Sequence, residues 1–91
     1  MSQTILDHAA ALFGLTLDEL RGPSRQRHIT EARHAAAYAL RRRTSMSLHA
    51  VAVALGRRDH TTTLHAVAAA EQLASIDPIY ARRLRALVVG R

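Results

Sequence analysis

The sequence predicts an all-α fold, a compact domain of about six helices, and three observations carry that expectation. Apolar residues recur at three- and four-residue steps, and no segment shows convincing strand alternation. Helix-start and helix-stop residues punctuate those runs at short intervals. The chain is 48% hydrophobic but only 3% aromatic with no Trp, so its core must come from Ala, Leu, Val and Ile, which favours closely packed helices. Its 91 residues allow one domain, over 1–91, because two would leave neither enough interior to offset chain entropy.

Ile5, Leu6, Ala9, Leu12 and Phe13 define a first amphipathic helix over about Thr4 to Phe13, stopped by Gly14. Thr16 with Glu19 forms a capping box opening a short turn of helix, Leu17 to Leu20, and Gly22-Pro23 closes it. The stretch Ser24-Arg25-Gln26-Arg27-His28 is polar and basic, too poor in apolar residues to be packed. It is expected as a surface loop, within a basic segment at about 21–29. A longer helix follows over roughly Thr30 to Arg43, with Ile29, Ala32, Ala36, Tyr38, Ala39 and Leu40 as inward candidates. Arg41, Arg42 and Arg43 fall in its last turn, where cations suit the negative end of the helix dipole.

Ser47 caps a helix from Leu48 to Leu55 whose Leu48, Val51, Ala52 and Leu55 share a face, and Gly56 ends it. Arg57-Arg58 form a turn, and Asp59 caps a further helix to about Ala74 with Leu64, Val67, Ala68 and Leu73 on one side. Asp77 caps a last helix with Pro78 in its first position and Ile79, Leu84, Leu87 and Val88 as its apolar residues.

Composition excludes several function classes. All thirteen basic residues are Arg, so there is no Walker A lysine, Schiff-base lysine or lysine general base. The lack of Cys removes disulfides, thiolate nucleophiles and thiolate metal sites, and nothing calls for an oxidising compartment. Ser24, Ser45, Ser47 and Ser75 lack a nucleophile elbow or a triad pattern, so no catalytic residues and no enzyme are expected. His60 and His65 are five apart and turn to different helix faces, and no metal or other cofactor is expected. No apolar run approaches the roughly 20 residues of a membrane span, and Met1 to Leu20 lacks the pattern of a signal peptide. A full-length cytoplasmic protein without a membrane partner is the expectation.

The formal charge is 13 − 7 = +6, unevenly placed. Between Arg21 and His65 lie nine Arg and two acids, 9 − 2 = +7, whereas the remainder carries 4 − 5 = −1. A basic middle with near-neutral ends is the footprint of a polyanion-binding surface, and a solvated Arg-rich face gives the same arithmetic.

The helices either side of Gly56-Arg57-Arg58 lie in this basic region and suggest a helix-turn-helix over about 47–74. With Leu64, Val67 and Ala68 inward, Thr61, Thr62 and His65 point away, along with His60. Hydroxyls, imidazoles and methyl groups suit close approach to base edges. Thr places its methyl against a thymine methyl, Asp59 accepts from cytosine N4, and His60 donates to a purine acceptor. The same residues also make an ordinary polar first turn with Asp59 as N-cap, and spacing alone leaves both readings standing.

Arg58-Asp59-His60-Thr61-Thr62-Thr63-Leu64-His65-Ala66 strongly resembles the signature of domain IV, the C-terminal DNA-binding domain of the bacterial replication initiator DnaA, which reads Gly-Gly-Arg-Asp-His-Thr-Thr-Val-Leu-His-Ala. Upstream, Arg25, Arg27, Ile29, Ala32 and Arg33, then Ala36 and Tyr38, resemble the family's basic loop and following helix. The likeness covers nearly the entire chain. It implies recognition of double-stranded DNA at DnaA boxes, with a helix-turn-helix in the major groove and a basic loop in the adjacent minor groove. Carried over by position, Asp59, His60 and Thr61 would read bases, and Arg25 would enter a narrow minor groove. Arg33, Thr62, His65, Ser47, Leu48, Arg57 and Arg27 would meet phosphates, and Arg58 would support the turn.

Departures from the family pattern sharpen these expectations. Arg57 replaces the second Gly of the family turn, trading tolerance of positive φ for a phosphate-contacting side chain. Thr63 stands where an aliphatic residue is usual and His34 where Gln is, and Arg21 and Arg27 are the nearest substitutes for a missing loop Lys. The expected protein is a stand-alone transcriptional or replication regulator without ATPase activity, a monomer or weak dimer. Two other readings remain: a protein-interaction module docking on the replication initiator or a partner, marked by an apolar patch on the Ile79 to Val89 helix, and a nonspecific nucleic-acid binder.

Overall fold

An alanine-rich helix organises the molecule. In the computed structural model, which describes residues 2–90, the order is α1 (Ser2–Leu12), α2 (Leu17–Arg21), α3 (Arg27–Arg43), α4 (Leu48–Ala54), α5 (His60–Ile76) and α6 (Pro78–Val89). Met1 and Arg91, the ends of the expected domain, lie outside the described residues. Among the described residues there are six helices and no strand. Helix α3 buries Ala32, Ala35, Ala36, Ala37 and Ala39 with Ile29 and Leu40, so it is apolar around much of its circumference. Small side chains let α1, α5 and α6 approach its axis closely, and Ile5, Leu20, Val51 and Leu87 fill the spaces between. No described helix is long and apolar enough to cross a membrane.

The punctuation residues act as their chemistry dictates. Thr16 and Glu19 exchange both capping-box bonds, at 3.0 and 2.9 Å. Ser47 Oγ accepts from the Ala50 amide, and Asp77 Oδ1 accepts from the Ile79 and Tyr80 amides behind Pro78. Gly56 sits at φ +74°, where a Cβ would also collide with the Arg21 carbonyl, so the turn after α4 requires glycine on both counts. Among the described residues no residue other than glycine has positive φ. The turn therefore accommodates Arg57 without the backbone penalty its replacement of a glycine suggested.

Two expectations are corrected. Helix α3 starts at Arg27 rather than near Thr30, because Ile29 is buried and continues the stripe of Ala32 and Ala36. Arg27 and His28 thus occupy an exposed first turn, and the basic loop shortens to 22–26. In α5 the inward residues are Thr63, Ala66 and Ala70, whereas Ala68 is exposed and Leu64 is 52% exposed. Ala66 and Ala70 permit close approach to α3, and Thr63 Oγ1 satisfies its polarity by donating to the Leu48 carbonyl at 2.8 Å. In α6, Leu84 and Leu87 are buried with Tyr80, which packs against Phe13 and donates its hydroxyl to the Glu31 carbonyl at 2.7 Å, while Ile79 is exposed.

Candidate nucleic-acid interface

The head of α5 is built by its cap. Asp59, extended at φ −101°, accepts the Thr61 amide at 3.0 Å and turns the chain so that Asp59, His60, Thr61 and His65 are all exposed. That amide, then the Thr61 side chain, holds the Asp59 carboxyl below its usual range, with His60 and His65 adding to the effect. It is an ionised acceptor at neutral pH, 3.7 Å from His60 Nδ1. Leu64 stands one turn further on, so polar groups and an exposed aliphatic side chain share the surface at the head of the helix. Thr62 is half-buried, as is Leu48, while Ser47 at the head of α4 is exposed.

Next to this helix-turn-helix, the loop between α2 and α3 exposes Arg25, and Arg27 follows in the first turn of α3. The structure places Arg33, expected at a phosphate, beneath that loop. It is only 7% exposed, and donates from Nε to the Leu20 carbonyl at 2.9 Å and from Nη2 to those of Gly22 and Ser24. Burial, then the nearby Arg57, lowers its pKa, yet a guanidinium remains charged at neutral pH. Its three hydrogen bonds brace the loop from beneath.

The two turn arginines sit differently in the fold. Arg57, expected at a phosphate, is half-buried and donates to the carbonyls of Leu55 and Gly56 and, from Nη2, to that of Gly22 at 3.0 Å. Arg58, expected to support the turn, is exposed and makes no side-chain hydrogen bond among the described residues. Arg33, His34, Arg57 and Thr62 surround a cavity of about 70 Å³ beneath the turn. Burial, and secondarily Arg33, holds His34 below the usual imidazole range.

The arginine run at the end of α3 is largely occupied within the fold. Arg41 donates to the Met46 carbonyl at 2.7 Å, Arg42 lies 5.1 Å above the Tyr38 ring, and Arg43 donates to the Leu87 carbonyl. Sequence reasoning missed Leu64, whose apolar character assigned it to the core, and the Thr63 and Arg57 bonds. Both of those residues were visible as departures from the family signature, but their partners lie 15 and 35 residues away. Among the described residues no three metal-ligating side chains come together.

The comparisons agree with this geometry. A sequence model described as bacterial dnaA protein helix-turn-helix matches residues 2–69, from α1 into α5. The chromosomal replication initiator protein DnaA of Bifidobacterium animalis subsp. lactis (strain AD011) is 47% identical over 62 residues, 68% of this chain and 11% of that protein. That of Clavibacter sepedonicus is 44% identical over 62 residues, covering 68% and 13%. That of Gloeobacter violaceus is 36% identical over 85 residues, 93% of this chain and 19% of the relative. The chain thus spans less than a fifth of the length of these relatives. With its turn, both flanking caps and most of its residues inside the match, the chain belongs to the bacterial DnaA helix-turn-helix family.

Proposed function

We propose that this protein binds double-stranded DNA with sequence preference for sites resembling DnaA boxes, placing the head of α5 in the major groove and Arg25 in the adjacent minor groove. Family membership supports DNA binding, and the observation that carries the sequence preference is the exposed set His60, Thr61 and Leu64 at the start of the matched helix-turn-helix. Thr61 and Leu64 offer methyl groups to thymine, His60 offers a donor to a purine, and ionised Asp59 offers an acceptor to cytosine N4. Exposed Arg27 and Arg58 and the hydroxyl of exposed Ser47 serve the phosphates. The action is occupancy of a site, without nucleotide hydrolysis, and the biological role is that of a transcriptional or replication regulator that competes with the initiator for its boxes.

Selection from a random duplex pool tests this reading, with a recurring box-like site as the expected outcome. Recovery of duplexes with no common sequence contradicts it and leaves a nonspecific nucleic-acid binder. One observation favours a second reading, as a protein-interaction module: Ile76 and Ile79, 76% and 60% exposed, flank the α5–α6 junction. That junction lies roughly 24 Å along α5 from Thr61. A protein contact there predicts that Ile76→Ser with Ile79→Ser abolishes capture of the replication initiator and leaves duplex binding intact.

A further inference from the structure

We infer that Arg57 is a positioning residue for DNA reading, fastening the loop that carries Arg25 to the turn of the helix-turn-helix so that the two reading elements move as one body. This rests on the proposed DNA binding. The geometry is specific. The Gly22 carbonyl accepts from two guanidiniums, Arg57 Nη2 and Arg33 Nη2, each at 3.0 Å. Arg33 reaches on to the Ser24 carbonyl, the residue before Arg25. From α3 and from the turn, therefore, two side chains hold the same short segment, with Gly56 packed on the Arg21 carbonyl beside them.

Nothing in the fold demands this arrangement. A glycine, the residue of the family signature at this position, would complete the turn, since the backbone there has no positive φ to accommodate. Two cations sharing one carbonyl repel, and the ion pair seen among the described residues, Asp59 with His60, lies elsewhere. The effect on recognition is entropic: an Arg25 already held near its bound position loses less freedom on entering the minor groove.

The test is a two-by-two set, wild type, Arg57→Gly, Arg25→Ala and the double variant, titrated against the selected duplex, with amide relaxation of Ser24 and Arg25 in the free proteins. Arg25→Ala is expected to weaken site binding roughly tenfold in the wild-type background and less than about threefold beside Arg57→Gly, the non-additivity of coupled positions. In free Arg57→Gly the order parameters of the loop amides are expected to fall, and Arg57→Lys to restore part of the coupling. Equal effects of Arg25→Ala in both backgrounds, or unchanged loop order, would overturn the inference. Should Arg57→Gly fail to fold, Arg57→Gln makes the same comparison. If the wild type itself prefers no duplex, the proposed function fails, and the relaxation of the free proteins still decides whether Arg57 orders the loop.

Discussion

His34 lies where burial disfavours charge, and its pKa is held below 6.5 by that burial and by Arg33. Folding therefore keeps it neutral. Its contribution is complete above about pH 6.5 and is lost as the pH falls through that value toward the folded pKa, because the unfolded chain takes up the proton first. Asp59 behaves in the opposite chemical sense in a lower window: its folded pKa is depressed below 3.8, so its contribution holds above that value and is lost as pH falls through the folded pKa. Melting temperatures measured between pH 7 and pH 5 should fall for the wild type and flatten for His34→Gln. An unchanged slope in the variant would show that His34 does not carry it. Tyr80 offers a second check at this scale, since burial raises its pKa and its hydroxyl ties α6 to the Glu31 carbonyl. Tyr80→Phe should cost about 1 kcal/mol, read from the denaturation midpoint.

At the scale of elements, α5 shows what the sequence conveyed and what it withheld. Its start was legible because Asp59 is a strong N-cap, and the turn because Gly56 must adopt positive φ. Its buried face was not. Periodicity ranks Leu64 above Thr63, but the decisive terms are a hydroxyl satisfied by the Leu48 carbonyl and the small size of Ala66 and Ala70 against α3. Those depend on partners distant in the chain. The loop misled for a related reason: Arg27 and His28 read as too polar to pack, yet an exposed first turn needs only one buried residue, Ile29, to be drawn into α3. Thr63→Val should therefore destabilise by about 1 kcal/mol although it restores an aliphatic residue, because it removes that bond. Leu64→Ala should stay within about 0.5 kcal/mol of wild-type stability and yet reduce preference for the selected site. Chemical denaturation and duplex titration of the same samples separate the two effects.

Across the whole molecule, the +7 stretch overstates the charge free to meet a polyanion. Of its nine arginines, Arg33, Arg41, Arg43 and Arg57 donate to backbone carbonyls and Arg42 covers Tyr38. Arg21, Arg25, Arg27 and Arg58 are left exposed without such a partner among the described residues. Each phosphate neutralised contributes about −0.9 to the logarithmic salt slope, so Arg21, Arg27 and Arg58, with Arg25 in the minor groove, predict a slope near −3 rather than about −8 for nine. Affinity measured across a series of salt concentrations checks this, and a slope near −8 would mean that the internal arginines leave their carbonyls on binding. The charge and the resemblance carried by residues 58–66 were both legible in the sequence; which arginines the fold consumes was not.

The most direct measurement is a paired titration of wild type and Thr61→Ala against the selected duplex and a scrambled duplex of the same composition. If the head of α5 lies against base edges, the wild type discriminates between the two, and Thr61→Ala loses about 1–3 kcal/mol on the selected duplex and much less on the scrambled one. Equal losses on both, or no discrimination by the wild type, would contradict it.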